Sequence, residues 1–118
     1  MNVNWLREHC LAFPGATENV QWGSDLVFKV EEKMFAVTNL EPGATHVVSF
    51  KCSPEDFGEL TARPGIVPAP YLARARWVAL QPDAVCAEGE LKALLRKSYE
   101  LVVAALPKSK RLKVAFGA

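Results

Sequence analysis

The chain has 118 residues, of which 50% are hydrophobic, 23% charged and 9% aromatic. Those values describe one globular domain and exclude a disordered, collagenous or coiled-coil chain. A formal net charge of +1 argues against a strongly basic polyanion binder, and no apolar run approaches the roughly 20 residues of a membrane span.

Residues 3–12 carry Trp5, Leu6, Cys10 and Phe13 near one helical face, with Asn2 or Asn4 as the cap, and Phe13-Pro14-Gly15 stops the helix. Three strand-like runs follow. Glu18–Trp22 leads through the turn Gly23-Ser24-Asp25 to Leu26–Val30, where Leu26, Phe28 and Val30 alternate onto one face. Glu31-Glu32 is a short exposed connection that lacks the glycine or asparagine a two-residue hairpin prefers. In Lys33–Asn39, simple alternation sets Met34, Ala36 and Thr38 against Phe35 and Val37. Glu41–Ala44 reads as a turn and Thr45–Lys51 as a fourth strand, so residues 18–51 form an antiparallel meander.

Ser53-Pro54-Glu55-Asp56 opens a second helix with a capping serine, a first-turn proline and two acids at the positive end of the dipole. It fades by Arg63 before Pro64-Gly65. Pro64–Pro70 reads as a rigid loop, Tyr71–Ala73 as an irregular turn, and Ala75–Leu80 as a strand with Trp77 and Ala79 on one face. Leu91, Leu94, Leu95, Ser98, Tyr99, Val102 and Leu106 recur at helical spacing over Glu88–Leu106. Pro107 ends that helix, and Lys108–Lys113 reads as a basic tail that frays. The order α-β-β-β-β-α-β-α gives an α+β, two-layer fold: an antiparallel sheet of about five strands with its helices on one face. The expected core is Leu6, Leu11, Phe28, Phe35, Val37, Val48, Phe50, Phe57, Leu60, Trp77, Leu91, Leu95 and Val102. The whole chain, 1–118, reads as a single domain with the basic tail at 108–118.

Met1–Asn4 has neither the basic nor the apolar stretch of a signal peptide, so a cytoplasmic location is expected. Cys10, Cys52 and Cys86 are odd in number and lack C-x-x-C or Cys/His zinc spacing, so they read as reduced structural thiols. No phosphate loop, dinucleotide fingerprint or nucleophile elbow is present. His9 and His46 sit in ordinary helix and strand patterns. The acid pairs Glu31-Glu32 and Glu55-Asp56 read as a turn and as dipole compensation. No enzyme, metal or cofactor is expected.

Charge is unevenly spread along the chain. Residues 1–59 hold four bases against nine acids, a net −5, and residues 60–118 hold ten bases against four acids, a net +6. Candidate phosphate contacts are Lys51, Arg74, Arg76, Lys97, Lys108, Lys110, Arg111 and Lys113, with Tyr71 and Trp77 as candidate stacking or groove residues.

Several pieces, in order, carry a family resemblance. They are Phe13-Pro14-Gly15-Ala16-Thr17-Glu18; Phe28-Lys29-Val30 with Lys33-Met34-Phe35-Ala36; Lys51 before Ser53-Pro54; Pro64-Gly65 with Pro68-Ala69 and Tyr71; Trp77-Val78 with Leu80; and Leu91 through Ser98-Tyr99 to Leu106-Pro107-Lys108. Together they resemble the MmcQ/YjbR family of small bacterial proteins over nearly the whole chain. Glu31-Glu32 departs from the glycine often found there. The resemblance implies a compact fold related to the frataxin-like CyaY architecture, and a DNA-binding role inferred from likeness to a double-wing domain. It brings no iron, because the first helix has only Glu8 where frataxins have an acidic ridge. The function expected is therefore non-enzymatic DNA binding, with double-stranded DNA as partner. The alternatives are a protein-interaction module, including a homodimer, and a small-ligand domain using Lys29, Ser98 and Tyr99. No membrane partner is expected.

Overall fold

The computed structural model describes residues 2–41, 43, 47–70 and 72–115. Helix α1 spans Val3–Leu11, and the Asn2 side chain caps it by accepting from the Trp5 N–H at 2.9 Å. Strands β1 (Ala16–Gln21), β2 (Asp25–Val30) and β3 (Lys33–Asn39) form an antiparallel meander. Strand β4 (Val48–Lys51) pairs with β3, and α2 (Pro54–Thr61) follows from the Ser53 cap. Then come β5 (Ile66–Pro68), a 3-10 turn (Ala73–Ala75), β6 (Trp77–Leu80), α3 (Glu88–Ala104) and α4 (Lys108–Ala115). The sheet order is β1-β2-β3-β4-β6-β5, every pairing antiparallel. The part of the expected fourth strand at 44–46 lies outside the described residues.

Burial sorts the two faces of the sheet. On one face α1, α2, α3 and α4 close a main core built on Leu6, Cys10, Phe13, Phe28, Phe35, Phe50, Leu60, Leu95 and Val114. Phe13, Phe35 and Tyr99 pack ring on ring, with centroids 4.8–5.8 Å apart. The Tyr99 hydroxyl donates to the Pro14 carbonyl and ties α3 to the turn after α1. On the outer face a smaller cluster gathers Ala69, Trp77 and Ala79 with Met34, Val37, Val67 and Leu72. The segment between β5 and β6 covers that half of the sheet.

Several expectations are corrected. Among the described residues six strands form, because Ile66–Pro68, inside the expected rigid loop, pairs with β6. Proline is tolerated there because β5 is an edge. The strand expected from Ala75 begins at Trp77, because Arg76 takes a left-handed conformation (φ 60°). The tail expected to fray is helix α4. Pro107 starts it, its carbonyl accepting from the Lys110 and Arg111 N–H groups, and Val114 anchors it in the core. Leu11 is exposed (37%), since Leu6, Cys10 and Phe13 form the buried stripe. Val37 and Phe57 are half-buried rather than core.

Simple alternation also fails in β3. The register steps from Phe28↔Ala36 to Lys29↔Met34, so Phe35 is an extra residue without a partner on β2. This bulge turns Phe35 and Ala36 both into the main core, while Met34 and Val37 join the outer cluster. The Ser98 hydroxyl of α3 services the gap. It donates to the Phe35 carbonyl at 2.6 Å and accepts from the Lys51 N–H at 3.0 Å. Finally, Glu31-Glu32 does form a two-residue hairpin turn, with both residues left-handed (φ 48° and 67°).

Candidate nucleic-acid interface

Register places three of the candidate bases at one end of the sheet. Lys51 ends β4 opposite Trp77, and its Nζ donates to the Ala75 carbonyl at 2.8 Å. The Arg76 carbonyl accepts from the Cys52 N–H at 2.9 Å, so the 3-10 turn that carries Arg74 is stitched to the end of β4. Arg74 and Arg76 are exposed and Lys51 is half-buried. Lys29 reaches the same end, because it pairs with Met34 and alternates with Val27 onto the outer face. Among the described residues, none of these four bases has a carboxylate within 4.0 Å. Lys29 is not among the phosphate contacts read from the sequence, because its place beside Met34 follows only from the hairpin register.

The other candidate bases lie in the helical layer and are partly engaged. Lys97 faces Asp56 at 3.5 Å across α3 and α2. Arg111 folds back to donate to the Leu106 carbonyl at 3.0 Å, which satisfies the end of α3. Lys113 meets Glu31 at 3.8 Å. Lys108 and Lys110 stand exposed on α4. The eight bases therefore divide between two layers and do not make one face. Trp77 is 4% exposed and fills the outer cluster beneath Leu72, so its ring is packed and not presented for stacking. Tyr71 lies outside the described residues.

Neither of the other constellations assembles a reactive centre. Lys29 faces outward, whereas Ser98 and Tyr99 lie on the buried face of α3 and spend their hydroxyls on backbone carbonyls, so these three residues share no cleft. A shallow groove of about 410 Å³ between α2 and α3 is lined instead by Ser53, Asp56, Lys97, Glu100, Leu101 and Ala104. Burial pushes the thiols up, Cys10 to about 12 and Cys52 and Cys86 to about 11, so all three stay protonated at neutral pH. Arg63 joins α2 to α3 by donating to Glu59 and Glu90, and holds the Glu90 carboxyl below its usual range. Among the described residues no three His, Cys, Asp or Glu side chains gather as a metal-ligand set, and no helix is long and apolar enough to cross a membrane.

Comparison with known proteins agrees with this architecture. The YjbR family model matches residues 11–101. The uncharacterized protein YjbR of Escherichia coli K12 is 31% identical over 115 residues, covering 94% of this chain and 95% of its own. Protein DR2400 of Deinococcus radiodurans, which carries the DUF419 domain, superposes with a TM-score of 0.85 at 31% identity, covering 97% of this chain and 88% of its own. A protein from Pseudomonas syringae shares the fold at a TM-score of 0.71 and 21% identity, over 86% of this chain and 98% of its own.

Proposed function

The chain belongs to the YjbR family, and we propose that it is a non-enzymatic DNA-binding protein that holds the phosphate backbone of a duplex at the basic end of its outer sheet face. One observation carries this reading: Lys29, Lys51, Arg74 and Arg76, brought from three separate stretches of sequence, lie at one sheet end, and among the described residues none of them has a carboxylate within 4.0 Å. Arg7, Arg63, Lys97 and Lys113, by contrast, each have a carboxylate within 4.0 Å. Glu31, which would repel phosphate from the adjoining hairpin, is turned toward Lys113 on α4. The Lys51 bond to the Ala75 carbonyl pre-positions the turn that carries Arg74, so less ordering entropy is lost on binding.

Four phosphate contacts give a salt slope of about −3.6 in log K against log salt, so affinity falls roughly a hundredfold between 50 and 200 mM salt. Fluorescence anisotropy with a labelled 20-base-pair duplex measures it. The triple variant Lys51→Gln, Arg74→Gln and Arg76→Gln is expected to weaken binding at least tenfold and to flatten the slope. Lys108→Gln with Lys110→Gln removes α4 charge and is expected to change binding less than twofold. A salt-independent signal, or equal losses from both sets, overturns the assignment.

A further inference from the structure

The two edges of the sheet are built differently. Strand β5 is three residues long, contains Pro68 and sits between Pro64 and Pro70, so it offers almost no ladder to a newcomer. Strand β1, the opposite edge, is six residues long and pairs with β2 in unbroken register. It has no proline, lysine or bulge to discourage pairing. Its one charge, Glu18, is already neutralised by Arg7, whose Nε and Nη2 donate to the carboxylate at 3.0 and 2.6 Å. Where the strand ends, Val20 is 55% exposed and Trp22 is 67% exposed. Trp22 also holds a left-handed backbone (φ 51°), a conformation that costs a bulky residue on the order of 1–2 kcal/mol.

We propose that the β1 edge is a self-association surface, on which a second copy of this chain adds its own β1 antiparallel about a two-fold axis through Asn19. Strand alternation restricts the register. Outer-face residues meet outer-face residues only when the axis passes through a residue, not between two. An axis through Glu18 would set two carboxylates face to face, and an axis through Val20 would shorten the ladder. An axis through Asn19 sets Asn19 against Asn19 and Thr17 against Gln21 on the outer face. On the helical face it sets Glu18 against Val20, and it brings the Trp22 that follows each strand near the Ala16 that opens its partner. The edge is thus self-complementary, as an isologous interface requires. Because the proline-blocked β5 edge cannot propagate the sheet, association stops at two copies. The axis stands perpendicular to the sheet, so the outer faces of the two copies run together as one twelve-stranded surface. No base of the sheet end takes part, and the proposal stands without the DNA reading.

Sedimentation equilibrium of the intact chain tests it, over a range of about 5 to 500 µM suited to an interface this small. The mass of the wild type is expected to rise toward twice the monomer value. Asn19 is exposed, so substitution there spares the fold, which thermal unfolding checks. Asn19→Lys and Asn19→Glu each oppose like charges across the axis and are expected to stay monomeric. An equal mixture of the two is expected to recover the doubled mass. Trp22→Ala is expected to weaken association at least tenfold. A wild type that remains monomeric throughout, an Asn19→Lys chain that associates like the wild type, or a mixture that stays monomeric overturns the proposal.

Discussion

Replacing Ser98 with alanine removes one oxygen atom and strands two backbone groups. Ser98 is fully buried, and its hydroxyl is the bridge between the Phe35 carbonyl and the Lys51 N–H. The bulge at Phe35 pushes these groups out of the β3–β4 ladder, whose register is Ala36↔Phe50 and Val37↔Ser49. Each unpaired buried group costs about 1–3 kcal/mol, so the pair together costs about 2–4 kcal/mol after partial relaxation. With a urea m-value of about 1.5 kcal/mol/M, the unfolding midpoint falls by roughly 1.5–2.5 M. Intrinsic tryptophan fluorescence follows the transition, since Trp77 is buried and Trp22 is exposed. Ser109→Ala, at an exposed position on α4, serves as the control and should shift stability by less than about 0.5 kcal/mol. In hydrogen exchange, the Lys51 amide should lose protection in the Ser98 variant while the Val27 amide keeps it. A Ser98→Ala protein within about 0.5 kcal/mol of wild type, with an unchanged m-value, would refute the bridge.

Gly65 sits at φ 82°, and a Cβ there would lie 2.6 Å from the Ala84 Cα and 2.8 Å from its nitrogen. Gly65→Ala should therefore cost more than about 2 kcal/mol by thermal unfolding. Glu32 is left-handed (φ 67°) and exposed, so Glu32→Gly should stabilise by about 1 kcal/mol in urea while keeping the Glu31–Lys113 pair. His9 lies between the rings of Trp5 and Phe13, and burial, followed by the nearby Lys92 and Arg96 charges, holds its pKa below 6.5. The unfolded chain then binds the proton more readily, so His9 stabilises fully above the unfolded pKa and that stability is lost as pH falls below about 6.5. Urea midpoints between pH 7.5 and 5 should show this decline, and His9→Gln should flatten it.

The parts of the fold legible in the sequence are those where pattern and packing agree. Leu26, Phe28 and Val30 alternate and all reach the main core, and Ser53-Pro54 caps and opens α2 where the signals place it. The rest depended on partners distant in sequence. Nothing local marks Phe35 as a bulge; its carbonyl is satisfied by a serine 63 positions away. Strand β5 is too short and proline-rich to read, and exists because β6 pairs with it. Helix α4 has no apolar stripe, and one buried residue, Val114, holds it. Lys51, Arg74 and Arg76 could be picked out as bases. Their separation from Lys97 and the α4 bases could not, because it depends on which layer each element joins.

The surplus residue in β3 has a consequence for how this strand can change length. Met34 and Val37 face outward on either side of the paired core residues Phe35 and Ala36. Deleting one of those two would leave every other residue of the strand on the face it now occupies. A deletion elsewhere in β3 would shift the flanking side chains to the wrong faces. The middle of this strand is therefore where the chain can lose a codon and keep its topology, provided α3 no longer needs a hydroxyl at position 98.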